Sequence, residues 1–168
     1  MNRRRLCQTS LAACLAAPGW LRAQPVVKAP TLSGTTLEGM PYDLKVEAGK
    51  VVLVFFWATD CAVCRDKMPE LRLNYEAWRS KGFQLLAVNV DKQLSAVRDY
   101  QAILDRTVAP AQRFPSLWRG DGSHRDGFGP VPQTPTSFVL DRKHAVVNEI
   151  RGRIAPGLWD DIAELVLA

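Results

Sequence analysis

Seven consecutive residues, Val51-Val52-Leu53-Val54-Phe55-Phe56-Trp57, carry no charged side chain, and all but Leu53 are β-branched or aromatic. A run of this kind has no side to turn toward water. It predicts a strand buried on both faces, inside a sheet that other elements cover. Phe83–Val90 repeats the pattern as a second buried strand. Between them, Ala62 to Lys81 reads as a helix, with Leu71, Tyr75 and Trp78 spaced four and three apart, Pro69 as an expected kink and Gly82 as its C-terminal cap. Leu94–Leu104 reads as a second helix. Residues 109–135 are rich in Pro and Gly and predict a long loop with a short strand at Phe114–Trp118. Thr136–Leu140 and Ala145–Ile150 form a strand pair around Asp141–His144, and Gly157–Leu167 closes the chain as a helix. Thr36–Leu44 predicts an edge hairpin or a strand with a turn at Glu38-Gly39. Strand–helix alternation places the first strands parallel with right-handed crossovers, and the closing hairpin adds antiparallel ones. The expected class is α/β: a central mixed sheet with helices on both faces and an N-terminal strand or hairpin extension.

The chain has 168 residues, 47% of them hydrophobic and 23% charged, which suits a single globular domain. Its net charge of +5 is local in origin. Four of the 22 Lys and Arg residues (Arg3, Arg4, Arg5 and Arg22) lie within the first 23 positions, which hold no Asp or Glu. The remaining chain carries 18 basic against 17 acidic side chains, so no basic face for nucleic acid is implied. Arg3-Arg4-Arg5, the Ala- and Leu-rich stretch Leu6–Ala17, the break at Pro18-Gly19 and the small residue Ala23 read together as an export signal over residues 1–23, cleaved near Ala23. The paired arginines also suit a twin-arginine signal. A second reading takes Leu11-Ala12-Ala13-Cys14 as a lipobox with Cys14 acylated, against which stands the short, polar stretch before it. Either way the expected compartment is the periplasm. Residues 24–35 read as a linker leading into a domain over 36–168.

Cysteine usage follows from that division. Of four cysteines, Cys7 and Cys14 fall in the export segment, which leaves Cys61 and Cys64 as one C-x-x-C pair. The pair stands where the first buried strand hands over to the helix, the position of a redox motif. Cys61 at the helix N-terminus would meet unpaired N–H groups and the positive end of the helix dipole, both favouring a thiolate and making Cys61 the nucleophile. Cys64, one turn on and less exposed, would resolve the mixed disulfide. A zinc role wants four ligands, and only His124 and His144 remain, neither at metal spacing. His124 reads as a solvated loop residue, and His144 as a turn residue.

Phe56-Trp57-Ala58, then C-x-x-C, Arg65 and Met68-Pro69, followed downstream by Thr134-Pro135-Thr136-Ser137-Phe138-Val139-Leu140-Asp141, resembles the TlpA/ResA group of exported thioredoxin-like proteins. The likeness runs in order from Ala29 to Val166. It implies a thioredoxin-like fold and a thiol:disulfide oxidoreductase whose carrier is the Cys61–Cys64 pair itself, with no bound cofactor. It implies that Pro135 is cis and faces the Cys pair, and that Thr134 offers its backbone to an extended client chain, as in strand addition. It implies client proteins bearing disulfides, such as apocytochromes c, and a membrane thiol carrier as electron donor.

The chain departs from its relatives at several positions. Phe55 stands where thioredoxin itself has a buried Asp. Lys67, with Asp66 beside it, stands where the group often has Glu, so these two are candidates for redox tuning; the plainer reading is a solvated helix face. Asp60 replaces a residue that is usually Trp, and its carboxylate opposes the helix dipole, which should make the couple more reducing. Trp57 is expected partly to line the site and partly to pack the core, while Trp78, Trp118 and Trp159 read as packing aromatics. The same site run in reverse would serve a dithiol oxidase or isomerase. A further alternative is a copper-binding chaperone of the same fold, although such relatives usually space their cysteines by three; a peroxidase of this superfamily needs Thr or Ser where Ala58 stands.

Overall fold

The computed structural model describes residues 29–168; the export segment predicted over 1–23, including the lipobox reading at Cys14, and most of the linker's first half lie outside the described residues. In chain order the elements are β1 (Leu32–Thr35), β2 (Pro41–Asp43), β3 (Val51–Trp57), α1 (Ala62–Trp78), β4 (Phe83–Asn89), α2 (Leu94–Thr107), β5 (Ser116–Trp118), β6 (Arg125–Asp126), β7 (Thr136–Leu140), β8 (Val146–Arg151) and α3 (Leu158–Leu167). The central sheet runs β5-β4-β3-β7-β8. β3, β4 and β5 are parallel, while β7 and β8 are antiparallel to their neighbours. This is the mixed sheet of a thioredoxin-like fold, with the two longest apolar runs at its centre. β1 and β2 pair as a hairpin whose first strand precedes the expected span Thr36–Leu44 and lies in the segment read as linker, and β6 joins them in a second, three-stranded sheet.

Every residue of β3 is buried, and its alternation sorts it into two clusters. Val51, Leu53, Phe55 and Trp57 face α1 (Cys64, Met68, Leu71, Tyr75) and α3 (Leu158, Ile162, Val166), and Tyr100 of α2 packs at the edge of this cluster. Val52, Val54 and Phe56 face Leu32, Leu44, Leu117 and Phe138, with Phe128 and Val131 against them. On this second face the cover comes from the small sheet, the 3₁₀ turn Leu44–Glu47 and the 128–131 segment, and no residue of α1, α2 or α3 belongs to this cluster. Phe56, Phe128 and Phe138 meet edge-on or tilted with centroids 4.9–5.8 Å apart. Each such pair adds about 0.5–1.5 kcal/mol beyond its buried area.

α1 runs unbroken through Pro69, and a short 3₁₀ turn at Arg79–Lys81 ends it at Gly82, whose φ of 91° is the left-handed conformation a C-terminal cap requires. No helix of the described residues is long and apolar enough to cross a membrane.

Candidate active site

The site is built where β3 ends. Cys61 is the N-cap of α1, in extended conformation (φ −77°, ψ 102°), and its Sγ accepts the N–H of Cys64 at 3.1 Å. Cys61 and Cys64 form a disulfide with Cα atoms 5.2 Å apart. The two sulfurs are not equivalent. Cys61 is partly exposed, whereas Cys64 is wholly buried on the face of α1 that packs on the sheet. The reduced pair therefore offers one sulfur to an incoming disulfide and keeps the other beneath it, the arrangement thiol exchange in two steps requires.

The turn between β3 and α1 is clamped from both sides. The Asp91 carboxylate accepts the Thr59 N–H at 3.1 Å to each oxygen, and the Asn89 side chain at 2.9 Å. The Trp118 indole N–H donates to the Asp91 carbonyl at 2.7 Å, and the Arg65 guanidinium donates to the Thr59 carbonyl. Asp91 thus fixes the peptide two residues before the nucleophile. Hydrogen bonds to a charged acceptor contribute about 1.5–3 kcal/mol each. Asp91→Ala is expected to lower the unfolding free energy by about 2 kcal/mol and to slow disulfide exchange at Cys61, while Asp91→Asn keeps part of both. Denaturant midpoints and stopped-flow reduction rates on the same preparations check this; an Asp91→Ala protein with unchanged rate would show that the turn needs no clamp.

The Thr134–Pro135 peptide is cis. Thr136 pairs with Phe56 across β3 and β7, so Pro135 lies level with the end of β3 from which the Cys turn departs. The Pro135 carbonyl accepts from Gly152 at 2.8 Å. Among the described residues, neither the N–H nor the carbonyl of Thr134 takes a protein partner. Trp57, in contrast, is only 2% exposed and packs on Tyr100 at 4.9 Å between centroids. Its ring supports the site from below and offers no surface to a client, which corrects the expectation that it lines the site.

The charged neighbours divide. Asp60 and Asp66 are exposed. The Arg153 guanidinium donates to Asp66 and holds its carboxyl below the usual range, so Asp66 is tied to the loop after β8. Lys67 is 6% exposed, which corrects its reading as part of a solvated face. Its ammonium pairs with Glu70 at 2.8 Å, and Glu70 also accepts from the Trp159 indole. Burial pushes the Glu70 carboxyl up, but these hydrogen bonds outweigh it and leave it below its ordinary range. The charge of Lys67 is thereby taken up by a carboxylate one turn further along α1.

His124 is also buried, not solvated. Its Nε2 meets Asp126 at 2.9 Å, and Asp126 is gripped by Arg119 at 2.8 and 2.9 Å. His144 is a turn residue as expected, with φ of 61°. No group of three metal-ligating side chains gathers among the described residues.

Four likenesses bear on this geometry. Residues 25–149 match the AhpC/TSA family. The thiol-disulfide oxidoreductase ResA of Bacillus thuringiensis subsp. konkukian is 32% identical over 125 residues, 74% of this chain and 68% of that one. The thioredoxin-like protein YneN of Bacillus subtilis is 33% identical, over 73% of this chain and 68% of its own length. The crystal structure of a thiol:disulfide interchange protein of the thioredoxin family from Chlorobium tepidum superposes with a TM-score of 0.66 at 28% identity, covering 83% of this chain and 95% of that one. With a C-x-x-C pair capping α1 and a cis-proline strand beside it, the chain belongs to the AhpC/TSA family and, within it, to the ResA-like thiol:disulfide oxidoreductases.

Proposed function

We propose that this protein is exported to the periplasm and there reduces disulfides in client proteins, apocytochromes c among them, drawing electrons from a membrane thiol carrier. Cys61 is the nucleophile, Cys64 the resolving thiol, and Thr134 the backbone that holds the client. The observation that carries this reading is the unequal burial of the two cysteines at a helix N-terminus level with Thr134's unpaired backbone.

The steps balance without a further cofactor. The Cys61 thiolate attacks one client sulfur; the client S–S bond breaks, a Cys61–client disulfide forms, and the other client sulfur leaves as a thiolate and takes a proton. Cys64, as thiolate, then attacks Cys61 Sγ. The Cys61–Cys64 bond forms and the second client sulfur leaves. The client gains two electrons and two protons. A dithiol of the membrane carrier repeats the exchange in reverse to restore the reduced pair.

The test is the reduction potential of Cys61–Cys64 in thiol buffers, followed by tryptophan fluorescence. A value at or below about −250 mV supports a reductase, and one near about −120 mV, the potential of a strong dithiol oxidant, overturns the direction. Asp60→Asn is expected to raise the potential slightly, because removing the carboxylate beside Cys61 stabilises its thiolate and with it the reduced form. An exposed charge contributes under about 1 kcal/mol, so the rise should stay below about 20 mV.

A further inference from the structure

Arg72 is the most anomalous charge in the molecule. It is 7% exposed, yet among the described residues no carboxylate lies within ion-pair distance of it and it donates no hydrogen bond to protein. Glu76, one turn on along α1, is the residue that would ordinarily neutralise it. That carboxylate instead receives the Gln112 amide at 2.8 Å. What Arg72 does have is the ring of Phe114, with its guanidinium carbon 5.6 Å from the centroid. Burial pushes its guanidinium below the ordinary value, partly offset by the Tyr100 hydroxyl.

Arg72 also lines a groove of about 330 Å³ between α1 and α2. Arg65 and Arg72, seven residues apart and so on one face of α1, supply its charge, and Met68, Tyr100 and Gln112 are among its other lining residues. No Asp or Glu lines it. Glu38 lines the smaller pocket that Arg72 shares with Phe114, and its carboxylate accepts from the Gln101 amide. The groove is thus positive, half apolar, and begins at the residue that follows Cys64.

We propose that this groove is a carboxylate-binding subsite, with Arg72 as its charged anchor and Arg65 at its mouth. A planar guanidinium with no internal partner suits a carboxylate, which it can bind through two parallel hydrogen bonds. Cys61 and Arg72 are eleven residues apart along α1, about 16 Å of helix axis. An extended client chain spans that distance in about five residues. An acidic side chain about five residues from the client's cysteine would therefore reach Arg72 while the client's disulfide sits on Cys61. A free small carboxylate has the same chemistry and is the second source. The client arm rests on the reductase reading above.

The experiment uses the wild-type protein and two disulfide-bearing peptides, identical but for Glu or Gln five residues from the cysteine. The Glu peptide is expected to show a KM about fivefold lower at equal kcat, and Arg72→Gln to remove the difference while Arg72→Lys restores part of it. In parallel, acetate and glutarate are titrated while the Arg72 Nε–H resonance is followed by ¹⁵N NMR. Saturable shifts without peptide discrimination would support the subsite and assign it to a free carboxylate. Equal KM values for the two peptides together with an unmoved Arg72 resonance would overturn it. If neither peptide is reduced at all, the reductase reading fails, and the NMR titration alone decides the subsite. Because the peptide contrast is made on the unaltered protein, an Arg72 variant that does not fold leaves the test intact.

Discussion

Cys61→Ser should lose at least about 10³-fold in disulfide exchange and form no adduct with a disulfide substrate, while Cys64→Ser should accumulate a stable mixed disulfide through Cys61. The asymmetry follows from burial. Cys61 stands partly open at the start of α1, and Cys64 is fully enclosed in the cluster that α1 makes with the sheet. A substrate sulfur reaches the first and not the second. Removing Cys64 removes the only thiol among the described residues placed to attack the mixed disulfide from within, so the intermediate persists. Neither substitution should unfold the protein. The disulfide closes a loop with a sequence separation of 3, and a cross-link that short constrains the unfolded chain by only about 2 kcal/mol. Mass spectrometry after mixing each variant with a glutathione-type disulfide reads the outcome. An adduct on Cys64 in the Cys61→Ser protein, with none in Cys64→Ser, would reverse the assignment.

What could be read before the structure was whatever a short stretch of chain decides by itself. β3 and β4 announce themselves because a run with no polar side must be covered on both faces, and the C-x-x-C between strand and helix follows by position. The small sheet was less legible. β6 is two residues long and half exposed, and its pairing with β1 comes from the loop folding back, not from any pattern in Arg125-Asp126. His124 was misread for the same reason: in a Gly- and Ser-rich loop nothing local says that Asp126 and Arg119 will enclose it.

Lys67 was misread for a different reason, and Arg72 went unread for the same one. The buried residues of α1 are 64, 67, 68, 71, 72 and 75, a regular helical stripe. The helical reading rested on apolar residues alone, which assigned Lys67 to water and passed over Arg72. Applying the helical period to every residue type would have flagged both. Asp91 carried a signal as well. β3 and β4 are parallel with Trp57 opposite Asn89, so an acid two residues past the end of β4 falls beside the turn two residues past the end of β3. Parallel strands are what the sequence predicts, and their register is what sets Asp91 beside Thr59.

The buried Arg119–Asp126–His124 cluster carries the largest expected stability effect outside the hydrophobic core. Asp126→Asn is expected to cost about 2–4 kcal/mol at pH 7, set below the usual range for breaking a buried ion pair because the Arg119 side chain is 26% exposed and can recruit water. Burial pushes the Asp126 carboxyl up, but the hydrogen bonds from His124 and Arg119 prevail and hold it below its ordinary range. A carboxylate with a lower pKa folded than unfolded contributes stability that is complete above the unfolded value of about 3.9 and disappears as pH falls through the folded value. The gap in denaturant midpoint between the wild type and Asp126→Asn should therefore be full at pH 7, begin to narrow below about pH 4 and close further as pH falls through the folded value. A gap that stays constant over that range would show that Asp126 acts by shape and not by charge. The consequence reaches the site, because Arg119 also donates to the Gly129 carbonyl at 2.7 Å and lies 5.1 Å from the Phe56 ring. It thereby fastens the loop that leads into Thr134-Pro135 to the strand that leads into Cys61. Loosening it should raise KM for a peptide disulfide more than it lowers kcat, since the strand that receives the client shifts while the Cys pair, clamped separately through Asp91, does not.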